Sequence, residues 1–243
     1  MRQFIIQQVL IRVVLLIGTL CFVLFLNYWH GKHFKPCDTC SSNEIFLVDV
    51  PGLSDECTGI LEHEIRSRGT RLNPDLNFSN AQGRKLNFNQ LPECIKNFYE
   101  TREFEGIVSN ALGERVTFAP HSEQYRIFAR LYEDDDDFLE WHYDNNFTKG
   151  NRYTLVVPVL VDDCNTAEFM IKDRKTRKES IIQVPLGQGV LYNGSDVYHK
   201  ITQQTKGCRR MVVIIPFYAN YEKGFLGELR QFVRNVTYQK LTL

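Results

Sequence analysis

The sequence predicts a mainly β domain, a jelly roll with flanking helices, set behind an N-terminal transmembrane helix. Three observations predict it. After Gly113 the chain breaks into about eight short segments rich in Val, Ile and aromatic residues, each bounded by turn residues, within about a hundred positions. Before Gly113, apolar residues recur at helical spacing instead. From Val13 to Leu26 every residue is apolar or small, VVLLIGTLCFVLFL. Short strands so closely spaced favour a closed β architecture.

The N-terminus comes first. A membrane-spanning helix needs roughly 20 apolar residues, and residues 4–29 supply that length with one arginine, Arg12. That side chain can snorkel to the head groups. Tyr28 and Trp29 stand where an interfacial aromatic belt would. No small-residue cleavage pattern follows the apolar run, so an uncleaved signal anchor is expected. Residues 1–29 are read as a cytosolic tip and anchor, 30–44 as a polar stalk and 45–243 as one domain. Within it, 45–113 is helical support, 114–220 the jelly-roll core and 221–238 a C-terminal helix. Arg2 and Arg12 precede the span, which favours a cytosolic N-terminus and a type II protein with its domain in the endoplasmic reticulum or Golgi lumen. Six cysteines outside the span permit three disulfides, and sequons at Asn77, Asn146, Asn193 and Asn235 point to the same compartment.

Ser54 is placed to cap a helix from about Asp55 to Arg68, with Ile60, Leu61 and Ile65 inward and Gly69 as its stop. Residues 73–84 read as loop. Pro92 opens a second helix, to about Phe104, with Ile95, Phe98 and Tyr99 inward. Strands are expected at about 116–119, 125–132, 139–143, 153–160, 169–171, 180–184, 190–192 and 211–218. The Asp134–Asp137 run reads as a solvated hairpin loop, and Phe225, Leu226, Leu229 and Phe232 give the last helix its apolar face. Lys plus Arg and Asp plus Glu are both 29, so nothing in the charge suggests a nucleic-acid partner.

The chemistry begins at Trp141-His142-Tyr143-Asp144. Residues two apart on an extended chain project from one face, so His142 and Asp144 can reach one metal ion. Only six histidines exist, and His199 lies among the later strands, where a closed barrel can return it to His142. Two histidines and one carboxylate form the facial triad of non-haem iron oxygenases, which leaves positions open for a cosubstrate and dioxygen. By alternation Trp141 and Tyr143 point away and read as core packing. Arg209, ten residues after His199, opens a β-branched strand and can hold a carboxylate in a bidentate fork. Alternation lets only one of Arg209 and Arg210 point inward; Arg209 is the expected one, with Arg210 the alternative. Tyr132, ten residues before His142, can donate its hydroxyl to a cosubstrate.

These residues carry a resemblance. The stretch from Tyr125 to Tyr218 resembles the catalytic domain of the prolyl 4-hydroxylase and lysyl hydroxylase group of 2-oxoglutarate- and Fe(II)-dependent dioxygenases. It does so through Arg130-Leu-Tyr132, Trp-His142-Tyr-Asp144, Arg152-Tyr-Thr-Leu, Gly189-Val-Leu-Tyr-Asn-Gly, His199 and Gly207-Cys-Arg209. The resemblance implies a double-stranded β-helix core, with iron on His142, Asp144 and His199. It implies 2-oxoglutarate held by Arg209 with help from Tyr132, dioxygen as oxidant and ascorbate as reductant. It further implies hydroxylation of a C–H bond in a peptidyl proline or lysine. Arginine at position 209 is more like lysyl hydroxylases and oxygen-sensing prolyl hydroxylases, since the collagen enzymes usually carry lysine there. The same chemistry on a small molecule or lipid, and a catalytically silent jelly-roll binding module, are the competing readings.

Overall fold

The structure is a computed structural model that describes Gly18 and residues 45–72, 81–121, 123, 125–144, 146, 148, 150–173, 176–222, 224, 227 and 228. The expected anchor apart from Gly18, the stalk, Cys37, Cys40, the sequons at 77 and 235 and most of the C-terminal helix lie outside the described residues. Among the described residues no helix is long and apolar enough to cross a membrane.

Two antiparallel sheets make the body. The larger has the order β1 (Ile45–Asp49), β10 (Gln188–Asn193), β7 (Arg152–Val161), β12 (Arg210–Tyr218), β5 (Phe128–Tyr132), β3 (Gly83–Leu86), β2 (Thr70–Leu72), with β4 (Thr117–Phe118) on β12. The smaller has the order β6 (Leu139–His142), β11 (Tyr198–Ile201), β8 (Phe169–Lys172), β9 (Glu179–Ile182). Each strand expected after Gly113 is present within a few residues.

Side-chain alternation along the large sheet builds two apolar cores from one set of strands. Ala129, Leu131, Leu155, Val157, Leu191, Met211, Val213 and Ile215 pack toward the helices. Tyr132, Val156, Val190, Tyr192, Val212 and Ile214 pack toward the small sheet, with Leu139, Phe169 and Ile201. β12 is therefore buried along its whole length. The layers run helices, large sheet, small sheet, and the candidate site lies on the inner side of the large sheet.

The region 45–113, expected to be helical support, also supplies β1, β2 and β3 to the large sheet. β3 replaces the end of the expected loop, because Lys85 and Leu86 pair with Arg130 and Ala129 of β5. The helix α1 (Asp55–Arg68) has Ser54 accepting from the Cys57 N–H at 3.2 Å, and Gly69 ends it. Its buried stripe is Cys57, Leu61 and Ile65; Ile60, expected inward, falls beside that stripe and is 42% exposed. The second expected helix is two, α2 (Glu93–Tyr99) and α3 (Arg102–Leu112). Thr101 is extended, and its Oγ1 accepts from the Phe104 N–H at 3.1 Å, so a capping residue interrupts an apolar period that reads as continuous.

Among the described residues there are two disulfides, Cys57–Cys94 between α1 and α2, and Cys164–Cys208 at the entry to β12. The hairpin after β5 differs from expectation in one residue. Asp137 is fully buried, where its carboxylate accepts from the Glu133 and Asp134 N–H groups and from Arg71. The run is a hairpin loop, solvated at Asp135 and Asp136 as expected, and organised around the buried Asp137 carboxylate.

Candidate metal centre

His142 ends β6, and His199 lies directly opposite it on β11. A bulge between Leu139 and His142 turns both of those side chains to the inner face. Asp144 follows, fixed by its N–H donating to the Gly194 carbonyl at 2.8 Å. One ligand atom from each of His142, Asp144 and His199 lies within 4.8 Å of the others. Asp144 Oδ1 is 3.8 Å from His142 Nε2 and 4.0 Å from His199 Nε2.

The atoms that would not bind metal are already occupied. His142 Nδ1 donates to the Glu140 carbonyl at 2.7 Å, and His199 Nδ1 donates to the Val197 carbonyl at 2.9 Å. Both rings are thereby held with Nε2 toward the shared centre. Asp144 Oδ2 accepts from Thr154 Oγ1 at 2.5 Å and stands 3.5 Å from Arg152 Nη1, which leaves Oδ1. Tyr192 OH lies 3.1 Å from His199 Nε2. Burial, then repulsion from His199, lowers the His142 pKa to about 3, and burial lowers His199 as well. Burial pushes Asp144 upward, but Arg152, the two histidines and the Thr154 hydroxyl outweigh it and hold the carboxyl at about 2. Two neutral imidazoles and one carboxylate are the protonation states a divalent ion requires. The donor set fits iron(II) as a facial triad.

Gly194 is forced by this packing. A Cβ there would stand 2.7 Å from Asp144 Cβ and 2.9 Å from Thr154 Oγ1. Trp141 and Tyr143, expected in the core, lie on the outer face of the small sheet instead. Trp141 stacks on Tyr198 at 5.3 Å, with Lys200 Nζ 4.8 Å from its ring, and Tyr143 meets the same tyrosine. Alternation does put Trp141 and Tyr143 opposite His142, as the sequence predicts; that face is not covered by another sheet, so the rings pack on Tyr198 of β11 instead of in a core.

Arg209 requires a correction. Its guanidinium and N–H donate to Asp162 at 2.8–3.0 Å, and Nη1 donates to Glu62 of α1 at 3.0 Å. It faces the helix layer and is saturated by two carboxylates. Arg210 is the inward member. It is 4% exposed, opposes Tyr132 across the β5–β12 ladder, and its Nη1 has no hydrogen-bond partner. The parity of β12 decides this, since Val212 and Ile214 share Arg210's side and line the inner core. Tyr132 is inside as expected, 1% exposed, and its hydroxyl accepts from Arg130 Nη1 at 3.4 Å. Sequence reasoning did not single out Arg130, Thr154, Tyr192 or Gly194 as site residues. The signal was available: each lies in a quoted motif, at a position whose parity matches an inward neighbour.

No protein-family model matches the sequence, and no curated protein sequence matches it. Solved structures do. A prolyl 4-hydroxylase from Pseudomonas putida is 11% identical, with 74% of this chain and 93% of that one covered and a TM-score of 0.50. The non-haem α-ketoglutarate-dependent epimerase SnoN of nogalamycin biosynthesis is 12% identical over 76% and 84%, with a TM-score of 0.56. A prolyl hydroxylase from Trichoplax adhaerens, in complex with a hypoxia-inducible-factor peptide fragment, is 13% identical over 73% and 84%, with a TM-score of 0.51. The chain therefore shares the fold of these three proteins, two antiparallel sheets consistent with a jelly-roll core. At such identities the likeness carries the fold, and the activity is argued from the site.

Proposed function

We propose that this chain is an Fe(II)- and 2-oxoglutarate-dependent dioxygenase that hydroxylates a C–H bond. One observation carries the reading: two neutral Nε2 atoms and one carboxylate oxygen converge, while every other polar atom of the three ligands is engaged. A ferrous ion on these ligands supplies dioxygen activation, with 2-oxoglutarate decarboxylated to succinate as the source of electrons. The protein's own part is binding and orientation. Arg210 would fork onto the distal carboxylate of the cosubstrate, because it is the inward, buried guanidinium with an unpartnered nitrogen. Tyr132, directly across the ladder, would steady the same end. Val156, Val190, Val212 and Ile214 keep water from the inner sheet face.

A peptidyl proline or lysine is the substrate class this reading favours. Its support is the fold shared with two prolyl hydroxylases, one of them solved with a peptide. Ascorbate would keep the iron reduced. The two disulfides and the apolar N-terminal run support a membrane-tethered domain in an oxidising lumen.

The test is succinate formation from 2-oxoglutarate with Fe(II) and ascorbate, for wild type and His142→Ala. Wild type should turn over and bind one iron, and the variant should lose at least a hundredfold. Proline- and lysine-bearing peptides should stimulate turnover and gain one oxygen. A wild-type domain that binds neither iron nor 2-oxoglutarate would overturn the proposal. A shift in mass on glycosidase treatment of protein from a eukaryotic host checks the compartment.

A further inference from the structure

The inner face of the large sheet holds more positive charge than one cosubstrate can answer. β5, β7 and β12 turn Arg130, Arg152 and Arg210 toward the small sheet, whereas the triad contributes one carboxylate, Asp144. Arg130 shares its side of β5 with Phe128 and Tyr132, both in the inner core. Lys85 of β3, opposite Arg130 in register, packs its Nζ 3.7 Å from the Tyr125 ring and 4.6 Å from the Phe128 ring. Arg152 is engaged with Asp144. Arg130 donates to one phenol, Tyr132, and among the described residues no carboxylate pairs with it.

The charge balance follows, on the reading proposed above. A ferrous ion is neutralised by Asp144 and by one carboxylate of 2-oxoglutarate. Arg210 is neutralised by the other carboxylate. Arg152 keeps its contact with Asp144 Oδ2, and Arg130 then remains without a carboxylate in a half-buried position, where an unpaired guanidinium is disfavoured. Arg130 bonds the Tyr132 hydroxyl, and Tyr132 opposes Arg210 across the β5–β12 ladder, so Arg130 stands beside the proposed cosubstrate clamp.

The geometry points to a second anion site at Arg130: the substrate carries a carboxylate or phosphate group beside the C–H bond that is oxidised. Arg130 is then a specificity-determining residue. It selects an acidic substrate by a charge-assisted hydrogen bond and leaves the cosubstrate to Arg210.

The inference rests on the proposed 2-oxoglutarate site, and calorimetry on the Ni(II)-substituted protein separates the two. The protein is first saturated with 2-oxoglutarate, then titrated with acetate, inorganic phosphate and, as neutral control, acetamide. Wild type should bind acetate or phosphate at one further site and ignore acetamide; the tighter anion identifies the group. Arg130→Gln should weaken that second binding at least tenfold and change 2-oxoglutarate affinity less than twofold, and Arg130→Lys should restore most of it. If Arg130→Gln weakens 2-oxoglutarate as much as Arg210→Gln does, Arg130 belongs to the cosubstrate clamp and the inference is overturned. A saturated wild type that takes no second anion overturns it equally. A wild type that fails to bind 2-oxoglutarate at all overturns the parent reading instead.

Discussion

Two neighbouring arginines have opposite roles because one strand has two faces. Arg209 holds α1 and the loop after β7 through Glu62 and Asp162; Arg210 faces the site with a nitrogen unspent. Arg210→Gln should therefore raise the dissociation constant of 2-oxoglutarate by about a hundredfold, the value of a lost charge-assisted pair. Arg209→Gln should leave that constant within about twofold and lower the melting temperature, because a part-exposed ion pair contributes on the order of 1 kcal/mol or less. Equilibrium binding to both variants decides between the two residues, and equal losses would refute the division. The ligands make a second claim, on pH. In the folded apo chain His142 stays neutral down to about pH 3, and His199 is lowered too, against an ordinary value of 6.5. The unfolded chain thus binds more protons between those limits, so stability rises with pH from about 3 to 6.5. Asp144, held at about 2 against 3.8, adds stability that is present above 3.8 and lost below it. Urea midpoints of the metal-free protein should climb from pH 4 to 6.5 and then level, and His142→Asn should flatten part of the climb. A wild-type midpoint that does not change over that range would contradict the burial of neutral histidines.

At the scale of elements, the turn between β10 and β11 does the fine positioning. Gly194 lets its backbone reach the Asp144 N–H while leaving room for the Asp144 and Thr154 side chains. Gly194→Ala should displace Asp144 and weaken metal binding about 10- to 100-fold, the range for loss of a group that supports a ligand. Cobalt(II) titration followed by absorption measures it; unchanged affinity would mean that the turn can yield. The strands after Gly113 other than β11 (Tyr198–Ile201) were legible because β-branched runs and turn residues mark them, and His142-x-Asp144 was legible because period-two spacing needs no tertiary knowledge. β1, β2 and β3 were not, since Ile45–Asp49, Thr70–Leu72 and Gly83–Leu86 are short edge-side strands whose pairing partners lie far away in sequence. Trp141 was misplaced for a related reason. Its parity against His142 was right, but which face of β6 is covered depends on the order of the layers, and that comes from distant pairings. The inward choice of Arg210 over Arg209 needed the parity of Val212 and Ile214 against two different layers.

The whole molecule is a three-layer stack with two disulfides among its described residues, each within a layer, and these bear on the site unequally. Cys57–Cys94 joins α1 to α2, both outside the large sheet; Cys164–Cys208 joins the loop after β7 to the residue two before Arg210. They close loops of 37 and 44 residues. Chain-entropy arguments give each about 4 kcal/mol of stabilisation through the unfolded state. Thermodynamically the two are thus near equals. Their structural reach differs, because Cys208 is 6% exposed and sits in the same turn as Arg209, whose N–H and side chain bind Asp162 beside Cys164. Breaking this second link frees the end of β12 that presents Arg210, and breaking the first frees only helix packing. A Cys57→Ala, Cys94→Ala pair should lower the melting temperature while leaving the 2-oxoglutarate dissociation constant within about twofold. A Cys164→Ala, Cys208→Ala pair should lower it by a comparable amount and also raise that constant by about three- to tenfold, roughly 0.7–1.4 kcal/mol of lost preorganisation. Thermal melts and calorimetry on the wild type and both double variants give the comparison. Equal cosubstrate affinity in the two pairs would show that the Arg209–Asp162 contacts hold the clamp without the disulfide.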